Sequence, residues 1–362
     1  MSLKAGRCLL LTALVILSDV SAAWACTTFV LDDGGRPVFG RNYDWSIEDA
    51  LVIVNKRDVM KSAFLLDPLG NNPASWVSKY GSVTFNQISR EYPCGGMNEA
   101  GLVVEVMVVG ERTSMPRDGR PTVNNLQWVQ YQLDNFATVA EVVEQCAKLR
   151  VVDDAGFALH YLVADRKGRA AALEVIDGEF VCHTGIRMPV AVLANGTYEN
   201  DAAFMKNCAG FGGTVPVPKG AESHARFVRA AAGVRRFLPG PDTSAVTAAF
   251  AILDDVRQSS TMWSIVYDIA GKRIHFRAKS RTTLRVADLS RFDFSCRTPV
   301  KVLDINAPGE GDVTGKFADY SIEANQKLIQ TVFGKLRFLM PYKGLASTVL
   351  AAYPDTTLCA TR

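Results

Sequence analysis

Cys26 stands directly after Ala23-Trp24-Ala25 and directly before an alternating strand, and these two neighbours constrain the chain more than any other feature. Upstream, Lys4 and Arg7 give a short positive region, Cys8 to Leu17 form an apolar run, and SDVSAAWA follows. That order is the layout of a secretory signal peptide with an A-x-A cleavage site. The apolar run is too short for a membrane anchor, and small residues crowd its end. Residues 1–25 are therefore expected to be removed on export to the periplasm or the medium. The remaining 26–362 would form a single domain beginning with Cys26. An acylated lipoprotein cysteine competes with this reading. Such signals normally have Leu three residues before the cysteine and small residues between, a pattern that Trp24 fits poorly.

Downstream, CTTFVL, the turn Asp32-Asp33-Gly34-Gly35 and RPVFGRNYDW read as a hairpin. LVIVNK (51–56) reads as a third strand, and GLVVEVMVV from Gly101 as another, entered by a turn at Gly95-Gly96-Met97-Asn98. Apolar residues near helical spacing predict helices over 124–136 and 139–149. Further strands are expected at 158–164, 170–176 and 190–194, and helices at 223–238 and 244–257. A late hairpin follows (TMWSIVYD, IAGK, RIHFRA), then an irregular stretch and two helices starting near Tyr320 and Lys343. This order predicts an α+β fold of layers around packed antiparallel sheets.

Composition excludes several roles. Forty basic against thirty-seven acidic residues leave +3, spread without clusters, so no nucleic-acid partner is expected. Past residue 25 no apolar run reaches the ~20 residues of a spanning helix, so no stable membrane span is expected after processing. Of the seven cysteines beyond the leader, an odd number in an exported chain points to one thiol with a separate task. The other six suffice for up to three disulfides, whose pairing stays open. No C-x-x-C occurs and His160, His183, His224 and His275 are dispersed, so neither a metal site nor a cofactor is expected. P-loop, G-x-S-x-G and HExxH motifs are absent from the sequence. A homo-oligomer is left open.

A cysteine at a chain terminus carries its own base. Its α-amino group, with a reference pKa of about 7.7–8.0, can take the thiol proton, and the thiolate attacks. Arg41 and Asp44 end the second hairpin strand, which folds back towards Cys26. Asn195 ends an apolar strand, where its amide could face a developing oxyanion. Asn195-Gly196-Thr197 is also a glycosylation sequon, and the two readings exclude each other. Arg226 shares its helix with Arg229, Arg235 and Arg236.

CTTFVL…GRPVFGRNYDW resembles the opening of the choloylglycine hydrolase family, which includes conjugated bile acid hydrolases and penicillin V acylases. GMNEAGL (96–102), VLAN (192–195), ARFVR (225–229) and STMWSIVYD resemble further family segments, in family order, across nearly the whole mature chain. The resemblance implies an N-terminal-nucleophile hydrolase with an αββα four-layer sandwich. It gives Cys26, Arg41, Asp44, Asn195 and Arg226 their catalytic places, Asn195 as the oxyanion amide. It further implies a small-molecule substrate with a linear, non-peptide amide and an apolar acyl group: a bile acid conjugate, penicillin V or an N-acyl homoserine lactone. One position departs from the family. Its second oxyanion residue, Asn or Tyr, falls near Val108. Glu105 interrupts the same apolar strand, and whether it faces the site or solvent is left open. Acyl transfer to an amine is an alternative, as is a non-catalytic envelope protein.

Overall fold

The fold grows outward from the hairpin after Cys26. Strand β1 (Thr27–Asp32) pairs antiparallel with β2 (Pro37–Asp44), Thr27 opposite Asn42. Gly34 and Gly35 turn the chain with φ of 61° and 85°, a region open to glycine at no steric cost. The Asp32 carboxylate accepts the Gly35 N–H at 2.7 Å and fastens the turn. The computed structural model describes residues 26–65, 71–110, 115–153, 158–240, 244–336 and 339–360. The leader expected over 1–25 lies outside the described residues.

The remaining strands of the two large sheets are, in chain order, β3 (Leu51–Asn55), β4 (Ser82–Asn86), β5 (Gly95–Asn98), β6 (Val103–Val108), β7 (Leu159–Ala164), β8 (Ala170–Ile176), β9 (Glu179–Thr184) and β10 (Val192–Leu193). They continue with β11 (Thr261–Asp268), β12 (Arg273–Ala278), β13 (Arg285–Asp288), β14 (Lys301–Asp304), β15 (Gly311–Asp312) and β16 (Ala318–Asp319). The helices are α1 (Asn125–Asn135), α2 (Val139–Gln145), α3 (Tyr198–Lys206), α4 (Ser223–Arg236), α5 (Ala245–Asp255), α6 (Ile322–Lys335) and α7 (Lys343–Ala352). One seven-stranded sheet runs β10-β1-β2-β11-β12-β13-β15, antiparallel apart from its last pair. A nine-stranded antiparallel sheet runs β9-β8-β7-β6-β5-β4-β3-β14-β16.

All eight residues of β2 are buried, which requires cover on both faces. On one face Arg41 reaches the second sheet, donating to the Cys94 and Val106 carbonyls. On the other, Asn42 donates to the Leu253 carbonyl of α5. The second sheet is covered likewise. Trp128 of α1 packs on Tyr161 of β7 at 4.1 Å between ring centroids, and Asn98 of β5 donates to the Leu133 carbonyl. Helix, sheet, sheet, helix is the αββα sandwich, with one apolar core running through it. Tyr92 and Tyr353 pack with α6 and α7 in a smaller second cluster. Among the described residues no helix is long and apolar enough to cross a membrane.

Three local expectations change. Gly95-Gly96-Met97-Asn98 is not a turn but strand β5, Gly95 opposite Glu105. A Cβ on Gly95 would fall 1.9 Å from the Glu105 carboxylate, so this glycine permits close packing and not chain reversal. The strand expected at 190–194 narrows to Val192–Leu193. The stretch expected to be irregular after the late hairpin instead carries β13 to β16, and β4, β9 and α3 were not anticipated. Strand β9 follows a turn in which Asp177 and Gly178 both have positive φ, the Asp-Gly signal of a two-residue hairpin. Helix α3 starts where Thr197 accepts the Asn200 N–H.

Candidate functional site

Cys26 sits at the head of β1, between the sheets and 4% exposed. Its Sγ accepts the Asp44 N–H at 3.5 Å, because the hairpin register returns the end of β2 to the start of β1. Burial pushes the thiol pKa up; the Arg41 guanidinium, the next largest influence, pulls it down. Arg41 is itself fully buried. Two carbonyls hold it at 2.7 Å each, Glu105 pairs with it, and its guanidinium lies 4.8 Å from the Tyr43 ring centroid.

Asp44 is completely buried. Burial raises its carboxyl to about 6, opposed by a hydrogen bond from Thr261 and by the charges of Arg226 and Arg41. Thr261 donates to Oδ1, whereas Oδ2 has no hydrogen-bond partner among the described residues. β11 supplies Thr261 through an irregularity between Thr261 and Trp263 that sets Thr261 opposite Asp44.

Arg226 links the two halves of the site. Its Nη1 donates to the Cys26 carbonyl at 2.5 Å and to Thr27 Oγ1 at 2.7 Å, while Nη2 donates to Asn195 Oδ1 at 2.8 Å. Its helix neighbours do other work. Arg229 binds the Pro218 and Gly220 carbonyls, and Arg235 and Arg236 are exposed. Asn195 Nδ2 donates to the Val108 carbonyl at 2.6 Å. Val108 thus adjoins Asn195, as the resemblance implies, and meets it with its backbone. Nδ2 is also the atom that a glycan would need, and here it points into the fold. The five residues expected at the site all converge.

Further contributors were left open by the sequence, as Glu105 was, or not read from it. Glu105 turns inward, fully buried, pairing with Arg41 and accepting from Tyr267. A carboxylate in an apolar strand was the available signal; its partners were not. Ser223 Oγ accepts the N–H groups of Asn195 and Gly196 at 2.9 and 2.7 Å and donates to Asp201 at 2.9 Å. Behind Asn195, His160 places Nε2 2.8 Å from the Ala194 carbonyl and Nδ1 3.0 Å from Glu174. Glu174 also meets His183 and accepts the Tyr198 N–H. Despite burial, the two histidines hold its carboxyl down at about 2. These groups fix the backbone on either side of Asn195. Among the described residues no group of three or more His, Cys, Asp or Glu is placed to hold a metal ion.

Comparison with known proteins places this geometry. The model of the linear amide C–N hydrolases, choloylglycine hydrolase family, matches residues 26–300. A penicillin V acylase of Pectobacterium atrosepticum is 26% identical over 340 residues, covering 82% of this chain and 89% of its own. The structure of penicillin V acylase from Agrobacterium tumefaciens superposes with a TM-score of 0.72 at 29% identity, covering 82% of this chain and 98% of its own. A conjugated bile acid hydrolase variant from Clostridium perfringens shares the fold, with a TM-score of 0.63 at 17% identity over 80% of this chain and 98% of its own. With three quarters of its length matched by the family model, the chain belongs to the choloylglycine hydrolase family of linear amide C–N hydrolases.

Proposed function

We propose that this linear amide hydrolase is exported, is activated by removal of residues 1–25, and uses the Cys26 thiolate as its nucleophile. One observation carries the reading: a single guanidinium, Arg226, holds both the Cys26 carbonyl and the Asn195 carboxamide. Burial favours the neutral thiol, so the thiolate must be made by an adjacent base when substrate is present. The freed α-amine of Cys26 is that base, and Asp44 Oδ2, without a hydrogen-bond partner among the described residues, is where its N–H is received.

In the reaction, the amine takes the thiol proton and Sγ bonds to the amide carbon. The oxyanion is met by the second N–H of Asn195 Nδ2, the first being held by Val108. The amine returns the proton to the leaving nitrogen, the C–N bond breaks, and a thioester remains. Water then cleaves the thioester, releasing the acid and restoring the thiol.

An amide with an apolar acyl group is the proposed substrate class, with penicillin V first because both penicillin V acylases are nearer in sequence than the bile acid hydrolase. The test presents penicillin V, a bile acid conjugate and an N-acyl homoserine lactone to purified protein starting at Cys26. At least one should be hydrolysed, with an acyl adduct trapped on the Cys26 peptide. An adduct on another cysteine, or a lipid on Cys26 in the exported protein, would overturn the assignment.

The pH profile follows from Asp44. Its carboxyl lies near 6, so activity that needs the carboxylate to hold the amine should fall as pH drops through about 6, or lower where an ammonium pairs with it. Stability runs the other way. A carboxyl raised above its unfolded value of 3.8 contributes stability below that value, and the contribution is lost as pH rises through 6. Asp44→Asn should therefore lose activity and its acid limb without losing thermal stability at neutral pH. An unchanged kcat/KM limb in Asp44→Asn would assign it to another group.

A further inference from the structure

We infer that Cys146 and Cys182 form a second disulfide in the oxidised protein, one that rivets the outer helical layer to the edge of the nine-stranded sheet. Cys146 opens the single 3-10 turn (Cys146–Lys148) that follows α2. Cys182 lies on the edge strand β9, opposite Leu173 of β8. Their Sγ atoms are 3.4 Å apart, in van der Waals touch, so a small side-chain rotation reaches the ~2.05 Å of an S–S bond.

The other cysteines are placed differently. Cys296 and Cys359 are bridged. Cys26 meets Asp44, Cys94 meets the Tyr43 hydroxyl at 3.9 Å, and Cys208 meets the Phe204 carbonyl at 3.7 Å. The seven cysteines of the processed chain then divide into one nucleophile, two bridges and two single buried thiols, which accounts for the odd count.

The step balances simply. Each sulfur gives up its hydrogen, the two sulfurs bond, and two electrons and two protons pass to an external disulfide, which becomes two thiols. A protein or small-molecule disulfide of an oxidising compartment supplies that acceptor. The bridge would close a segment spanning 36 positions and tie the edge strand, whose outer backbone lacks a strand partner within its sheet, to the turn beside it. The inference does not depend on which residue attacks the amide.

The experiment treats purified chain with oxidised glutathione, unfolds it in denaturant without reductant, alkylates it, and maps the digest by mass. Peptides carrying Cys146 and Cys182 should appear joined, two hydrogens lighter than their sum, and take alkyl groups only after reduction. Cys182→Ser should leave Cys146 alkylatable and lower the melting temperature of the oxidised protein by several degrees, with kcat retained. The wild-type map decides the matter even where that variant fails to fold. Free thiols at both positions in a chain whose Cys296–Cys359 bridge has formed would overturn the inference. So would glutathione adducts on either, or a bridge from either to a different cysteine.

Discussion

Cys26→Ala should reduce turnover to the uncatalysed background while leaving the fold and substrate binding in place. The substitution removes one sulfur from a site where Arg226 grips the residue by its carbonyl, so the backbone stays anchored. The other residues proposed for the reaction, Arg41, Asp44, Asn195 and Arg226, carry guanidinium, carboxyl and carboxamide groups, none of which can form a thioester. Cys26→Ser keeps a nucleophile but replaces a thiol of reference pKa ~8.5 with a far weaker acid, and burial aggravates the difference. It should be severely impaired. Retaining Ala25 should be as damaging as losing the sulfur. The α-amine becomes an amide nitrogen with no basicity, and the thiol keeps its proton. The comparison is between purified chains verified by mass to begin at Ala25 and at Cys26. Full activity in the former would remove the terminal amine from the mechanism and leave the raised thiol pKa without a remedy.

The parts of this site legible in the sequence were those set by local periodicity. Period-two alternation and the Asp-Asp-Gly-Gly turn define the first hairpin, and its register alone returns Asp44 to Cys26. Arg226 was singled out among four arginines only through resemblance. In the fold the choice is physical: it is the arginine of α4 buried against β1, and the others reach loop carbonyls or solvent. Glu105 was visible as an anomaly, but which face it served depended on Arg41, 64 positions earlier in the chain and on the other sheet. The support behind Asn195 was not legible at all. His160, Glu174, Asp201 and Ser223 come from separate elements, and no spacing rule joins them. Alternation shows that a strand has two faces; it does not show what stands opposite each.

Asn195→Ala should lower kcat by roughly 10²–10³ with a smaller change in KM, the pattern for a donor engaged chiefly in the transition state. Its effect should exceed the loss of one hydrogen bond, because the carboxamide does three things. In the proposed mechanism it offers an N–H to the oxyanion; in the structure its Oδ1 accepts from Arg226 and its Nδ2 donates to the Val108 carbonyl. Asn195→Asp separates these roles. A carboxylate keeps and strengthens the bond from Arg226, yet loses both N–H groups and places negative charge beside the Val108 carbonyl and the oxyanion. It should therefore be no more active than Asn195→Ala, even though its clamp is intact. Val108→Asn tests the departure from the family pattern. If Asn195 is the sole side-chain donor, a second amide on β6 raises kcat, or leaves it unchanged if a backbone N–H already fills that place. Stopped-flow rates for acylation, read against equilibrium binding of the substrate to Cys26→Ala, distinguish a transition-state role from a binding one. Wild-type kcat in Asn195→Ala would refute the oxyanion assignment and return the Asn195-Gly196-Thr197 sequon to consideration.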